Sequence, residues 1–136
     1  MFDLTGKCAF VTGASRGIGR SVAVSLAQAG ADVALLGRDN AALGQTLKAV
    51  TSLGRRALAL QADVTSAASM ETAVASACKE FGKIDILVCN AGVQNLKPFL
   101  DMVPEDWRGL IATNLEGAIV TLQSVGRRME IGRAHV

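Results

Sequence analysis

Residues 11–20 read Val-Thr-Gly-Ala-Ser-Arg-Gly-Ile-Gly-Arg, with Gly13, Gly17 and Gly19 set between a short apolar run and a helical pattern. A turn this poor in side chains leaves the backbone N–H groups of a helix start open to a ligand. The helix end adds roughly half a positive charge. The fitting chemistry is capture of a pyrophosphate on the helix that begins near Gly17, with Ser15, Arg16 and Ile18 between the glycines. The spacing is G-x-x-x-G-x-G and no Gly-Lys-Ser/Thr follows. A terminal phosphate therefore lacks its lysine, and Mg²⁺ its hydroxyl.

Other reactive side chains are sparse. Cys8, Cys78 and Cys89 are far apart with no C-x-x-C pair, and the single histidine is His135. That set predicts reduced, mostly buried thiols and no metal site. No tyrosine occurs anywhere in the 136 residues.

The elements that must position the turn follow from the apolar pattern. Cys8–Val11 reads as a buried strand, and Ile18, Val22, Leu26 and Ala29 as the stripe of a helix that stops at Gly30. Val33–Leu36 predicts a second strand, and Leu43, Leu47, Val50 and Leu53 a second helix closed by Gly54. Ala57–Leu60 is a third strand, Asp63–Ser66 a turn, and Met70, Val74, Cys78 and Phe81 a third helix ending at Gly82. Ile84–Val88 gives a fourth strand, with a polar loop through Asn90, Gly92 and Asn95. Pro104-Glu105-Asp106 opens a long helix that keeps its spacing from Trp107 to Met129. Continuous apolar strands joined by helical crossovers predict a doubly wound parallel α/β sheet within one domain.

Composition narrows the partners. Half the residues are hydrophobic, 19% are charged and the formal charge is +2, which is enough apolar material for a packed core. Basic residues are scattered until Arg127, Arg128 and Arg133, so no stripe for nucleic acid exists. Apolar runs are strand-sized and MFDLTGK is no signal sequence, so no membrane partner and a cytoplasmic location are expected.

Thr12-Gly13-Ala14-Ser15-Arg16-Gly17-Ile18-Gly19 resembles the cofactor signature of the short-chain dehydrogenase/reductase family. Asp63-Val64 resembles that family's pair beside the adenine ring, and Asn90-Ala91-Gly92 its motif after the fourth strand. Asn114 in TNLEGA is similar to the helix asparagine of the catalytic tetrad. The resemblance covers residues 5 to about 129 and implies the N-terminal four strands and helices of a Rossmann-type domain, in a homodimeric or homotetrameric oxidoreductase. In those roles Asp63 accepts from the adenine amino group while the Val64 N–H donates to a ring nitrogen. Helix N-capping is the other role open to Asp63. Asn90 ties neighbouring strands together with its donor and acceptor, and Asn114 needs a partner for its amide.

Counting about twenty residues from the glycines lands near Asp39, which suggests NAD. The second strand ends at Leu36, however, and the family's acid aligns with Gly37, followed by Arg38. Arg16 and Arg38 together suit a 2′-phosphate, so NADPH is expected over NADH.

The resemblance also implies a serine and a Tyr-x-x-x-Lys beyond about residue 135, which predicts that this 136-residue chain lacks the proton-transferring acid and is inactive alone. IGRAHV corresponds to ATC GGA AGA GCA CAC GTC, which resembles a sequencing adapter, so residues 131–136 are expected to be a non-native tail. MFDLTGK and NAGVQNLKPFLDM are similar to sugar-acid and polyol dehydrogenases of the family. A 3-oxoacyl-(acyl carrier protein) reductase, or a nucleotide-binding module without catalysis, are the alternatives. An unpaired fourth strand and a partly uncovered last helix predict poor solubility.

Overall fold

Five consecutive residues without a charge, Cys8–Thr12, form β1, buried along its whole length at the middle of the sheet. In the computed structural model, which describes residues 2–134 and side chains as far as Met129, β1 pairs in parallel with β2 (Asp32–Gly37) and β4 (Ile86–Val88). β3 (Ala57–Gln61) pairs with β2, so the order is β3-β2-β1-β4. The register sets Val11 between Leu35 and Val88. Successive β1 residues face opposite sides, as the two-residue period of a strand requires. Phe10 enters one core layer and Ala9 and Val11 the other, all at most 1% exposed.

The first layer is filled by α3 (Ala67–Phe81) and α5 (Gly117–Ala134), through Met70, Val74, Phe81 and Val125. Opposite, α1 (Gly17–Gln28) and α2 (Asn40–Thr51) bring Ala23, Ala27, Leu43 and Val50 onto Val11, Val33 and Leu35. The doubly wound α/β arrangement expected from the alternating pattern is the one observed. No helix among the described residues is long and apolar enough to cross a membrane.

Local differences have physical causes. The α1 face on the sheet is Gly19, Ala23 and Ala27; of the larger stripe Leu26 packs at the edge of that core, Val22 and Ala29 are half-buried, and Ile18 is 75% exposed. Small residues let the helix axis lie close to β1, and this proximity brings its first turn to the strand end. Leu53 falls beyond α2, and the buried Thr46 takes a place on the inner face instead. β4 begins at Ile86, two residues later than expected, because Asp85 N bonds Cys8 O and Asp85 Oδ2 accepts from Cys8 N at the sheet margin. Cys8 is buried, Cys78 half-buried and Cys89 exposed.

The long final helix has two parts. α4 (Pro104–Ile111) starts at the proline, and Asp106 accepts from Val103 N at 2.9 Å. A π-helical turn, Ala112–Glu116, then leads into α5. Residues 131–134 continue α5, and His135 and Val136 lie outside the described residues. A short 3₁₀ turn, Phe99–Asp101, interrupts the loop after β4.

Candidate functional site

The chain leaves β1 for β2 on one side, whereas β4 lies on the other side of β1. The strand order reverses there, and in open α/β sheets that is where the carboxyl ends of the strands frame a crevice. A cleft of about 440 Å³ occupies this place. Gly13, Ser15, Arg16, Arg38, Asp63, Val64, Asn90, Ala91 and Gly92 line it, so four separated sequence segments converge. Gly37, Asp39, Val93 and Thr113 line it too.

Each glycine of the turn does different work. Gly17 has φ +57°, and a Cβ there would meet nothing within 4 Å, so its face is open to a ligand. Gly13, at φ +64°, is packed: a Cβ would stand 2.8 Å from Asn90 Nδ2 and 2.9 Å from Ala91 Cα. At Gly19 a Cβ would collide with the Gly13 carbonyl and lie 2.6 Å from Asn90 Nδ2. Gly13 and Gly19 therefore let the β1 and β4 loops touch, and Gly17 supplies the open backbone. α1 begins at Gly17 with its first helical bond from Arg20 N to Arg16 O, which leaves the amides of Gly17, Ile18 and Gly19 as orphan donors. Gly17, Ile18 and Gly19 do not themselves line the cleft, and Ile18 lies on the other surface of the turn. Its side chain faces the outer surface beside Phe2, Leu4 and Leu26.

Thr12 fastens the two loops; in the sequence it opens the glycine signature, but nothing there marks its hydroxyl as a tie. Its hydroxyl is 1% exposed and accepts from both Asn90 N and Ala91 N at 3.0 Å. Asn90 Nδ2 donates to Gly13 O at 3.1 Å, the strand-to-strand tie expected of that amide. Behind the turn, the buried Thr46 hydroxyl donates to Ala14 O at 2.8 Å and accepts from Arg20 Nε at 2.9 Å. Arg20 Nη2 also donates to Ser15 O, so α2 braces the glycine turn from below.

Asp63 and Val64 present complementary groups. Asp63 Oδ1 accepts from Thr65 N at 2.9 Å and Thr65 Oγ1 at 2.7 Å, and these bonds hold its carboxyl below the usual aspartate range. The carboxylate is thus an acceptor at neutral pH. It does not cap α3, because Ser66 does so by accepting from Ser69 N. The Val64 N–H has no partner among the described residues, which leaves a donor facing the cleft next to that acceptor. Val64 is set in place by Gly117, where a Cβ would come within 2.7 Å of Val64 Cγ2.

Asn114 sits in the π turn, where the wider backbone ring moves one side chain out of helical phase. Its Nδ2 donates to Val93 O and its Oδ1 accepts from Val93 N, both at 2.8 Å. Both ends of the amide are committed to holding the loop after β4, and Asn114 Oδ1 packs over Gly92. By this geometry the Asn114 side chain holds the loop after β4.

At Gly37, the last residue of β2, a Cβ would displace Ser15 Oγ and touch Leu43, so the glycine leaves that corner of the cleft to Ser15. Arg38 follows, its backbone carbonyl held by Gln61 Nε2 at 3.0 Å. Arg16 Nη2 donates to Asp39 Oδ2 at 2.6 Å, a pairing the sequence had not suggested. The residues present suit the adenosine diphosphate part of a dinucleotide, with orphan amides for phosphate and an acceptor–donor pair for a base.

A family model described as short chain dehydrogenase matches residues 7–135. Gluconate 5-dehydrogenase of Gluconobacter oxydans (strain 621H) is 38% identical over 129 residues, 95% of this chain and 50% of that protein. L-Rhamnose 1-dehydrogenase (NAD(P)(+)) of Sphingomonas sp. (strain SKA58) is 39% identical over 127 residues, 93% of this chain and 50% of that one. Among solved structures, NAD+-bound xylitol dehydrogenase superposes with a TM-score of 0.92 at 35% identity, covering 95% of this chain and 50% of the other. The chain spans about half the length of the curated relatives it matches. Cleft, sheet and family model together establish that the chain belongs to the short-chain dehydrogenase/reductase family.

Proposed function

We propose that this chain is the dinucleotide-binding part of an NAD(P)-dependent oxidoreductase that moves hydride between nicotinamide and an alcohol or ketone carbon. NADPH is favoured over NADH, and a sugar acid or polyol is the favoured small-molecule substrate. The observation that carries the reading is the meeting of the glycine turn that leads into α1 (Gly13, Ser15 and Arg16), the Asp63–Val64 pair and the Asn90–Gly92 loop in one cleft. Arg16 and Arg38 on the same cleft support the phosphorylated cofactor. The likeness to sugar-acid and sugar dehydrogenases supports the substrate class.

When bound, the dinucleotide supplies the hydride. The chain's own residues hold the diphosphate on the first turn of α1, fix the base beside Val64, and keep the β4 loop against the cofactor through Asn90 and Asn114. Proton transfer belongs to a serine and a Tyr-x-x-x-Lys downstream in the parent protein, and this 136-residue chain alone turns nothing over. Residues 131–136 are read as a non-native tail, with residues 1–130 as the native part of the domain. The parent is a cytoplasmic homodimer or homotetramer. The exposed stripe of Trp107, Ile111, Leu115, Ile119 and Leu122 supports the association.

The second reading is a nucleotide-binding module without turnover. Sequencing the source locus through residue 136 tests both. A serine followed by Tyr-x-x-x-Lys in the continuing frame supports the enzyme, whereas native codons for IGRAHV followed by a stop support the module. Assay of the parent with NADPH, NADH and candidate polyols then tests cofactor and substrate class. Equal or weaker affinity for NADPH would reverse the cofactor assignment.

A further inference from the structure

β3 forms one margin of the described sheet, with β2 on one side only. Its hydrogen-bonding sense is fixed at both ends. Val33 N donates to Arg56 O at 3.0 Å, and Ala62 N donates to Gly37 O at 3.1 Å. Even-numbered residues of the strand therefore serve β2, and strand alternation turns the backbone N–H and C=O of Ala57, Ala59 and Gln61 outward. Natural edges are blunted by charge, proline or a bulge. This one reads Ala-Leu-Ala-Leu-Gln and pairs with β2 without a break, so it has none of these. Beside it, the small side chains of Ala68, Thr72 and Ser76 on α3 line an open groove of about 460 Å³ with Leu60 and Gln61. The two ends of the strand differ in charge. Arg55 donates only to the Gly30 and Gly54 carbonyls and meets no carboxylate among the described residues. Asp63 is bonded through Oδ1, which leaves Oδ2 without a partner among them.

We infer that the free margin of β3 pairs with that of a second copy of this chain, antiparallel about Ala59, and joins the two sheets into one. In that register Ala59 exchanges both backbone bonds with the partner's Ala59, and Ala57 does so with the partner's Gln61. Every outward group of the strand is then satisfied. The same register sets Arg55 opposite the partner's Asp63, whereas parallel pairing would set Arg55 against Arg55. Opposite charges across strands attract and like charges repel, so the antiparallel arrangement is selected. The contact is self-complementary and closes as a two-fold dimer. It uses a different surface from the exposed stripe of α4 and α5, and it does not depend on the cleft's ligand.

The test is amide hydrogen exchange of the 136-residue chain, read residue by residue at two protein concentrations, in wild type, Ala59→Pro and Arg55→Glu. A proline at 59 removes an N–H that β2 does not use, so the sheet keeps its own bonds. Arg55→Glu leaves the strand backbone intact and sets like charges opposite each other. In concentrated wild type, slow exchange is expected at Ala57, Ala59 and Gln61, rising about tenfold or more on dilution by about a hundredfold. Both variants are expected to speed exchange at Ala57 and Gln61 in the concentrated sample. Fast exchange at these amides in concentrated wild type overturns the inference, even where the chain associates through another surface. Protection that neither dilution nor either variant alters overturns it too.

Discussion

Gly17 meets two demands at the start of α1: a left-handed backbone and nothing in front of it. Gly17→Val would strain the turn and place methyl groups where the diphosphate lies. Dinucleotide affinity is expected to fall by about 10-fold or more, on the order of a few kcal/mol of strain and lost contact. Calorimetric titration measures it, and unchanged affinity would remove Gly17 from the site. Gly13 and Gly19 bear on folding instead, since any Cβ there strikes the Asn90 loop or the Gly13 carbonyl. The repeated glycines are easy to see in the sequence, but their division of labour is not. It depends on which backbone crosses above each one, and that crossing comes from a loop about seventy-seven residues away. The role of the Thr12 hydroxyl was hidden for the same reason: it is defined by partners in the loop after β4, not by its neighbours.

Helix α1 was legible in kind, but its facing only in part, since Leu26 alone of the large stripe packs on the core. The pattern of large apolar residues marks the helix, but the sheet receives Gly19, Ala23 and Ala27. Ala23, fully buried, leaves no space for growth. Ala23→Leu is therefore expected to destabilise by about 1–3 kcal/mol through overpacking, read as a lower denaturant midpoint, and a neutral result would refute the close approach of α1 to β1. The fourth helix carries a parallel lesson. Its helical spacing was plain in the sequence, yet the π turn at Ala112–Glu116 was not. That turn exists because Asn114 reaches back to both polar atoms of Val93. Asn114→Leu should cost roughly 1 kcal/mol for each bond lost and expose the 92–96 loop to faster amide exchange. Unaltered exchange at Val93 would mean that the loop holds itself.

Across the whole molecule, the charge state is set by hydrogen-bonded carboxylates. Thr65 holds Asp63 below its ordinary range, the Ala42 amide and Arg16 do so for Asp39, and Lys97 and the Val103 amide for Asp106. A carboxyl whose folded pKa is depressed adds stability above its unfolded value and loses it as pH falls through the folded one. Stability is therefore expected to decline from about pH 5 towards pH 3, measured as the thermal midpoint; a rise on acidification would contradict these bonds. The far edge of β4 has no partner strand among the described residues, and Trp107, Leu115 and Leu122 form part of an exposed apolar stripe. At micromolar concentration the chain is expected to elute from a sizing column as associated species. A monomer with one sharp cooperative melt would contradict that. The parallel sheet and its two layers were legible from the alternating apolar runs, because each strand is buried by neighbours the same pattern supplies. The Arg16–Asp39 contact was not, since it joins two exposed side chains whose meeting depends on where α2 is capped.

The most direct measurement is equilibrium binding of NADPH to this chain, beside its Gly17→Val variant. Saturable one-to-one binding by the first, and binding at least about tenfold weaker by the second, is what a diphosphate cradle at the start of α1 requires. If the folded chain ignores the dinucleotide, or binds it equally well with the cradle filled, the function assigned to the cleft is wrong.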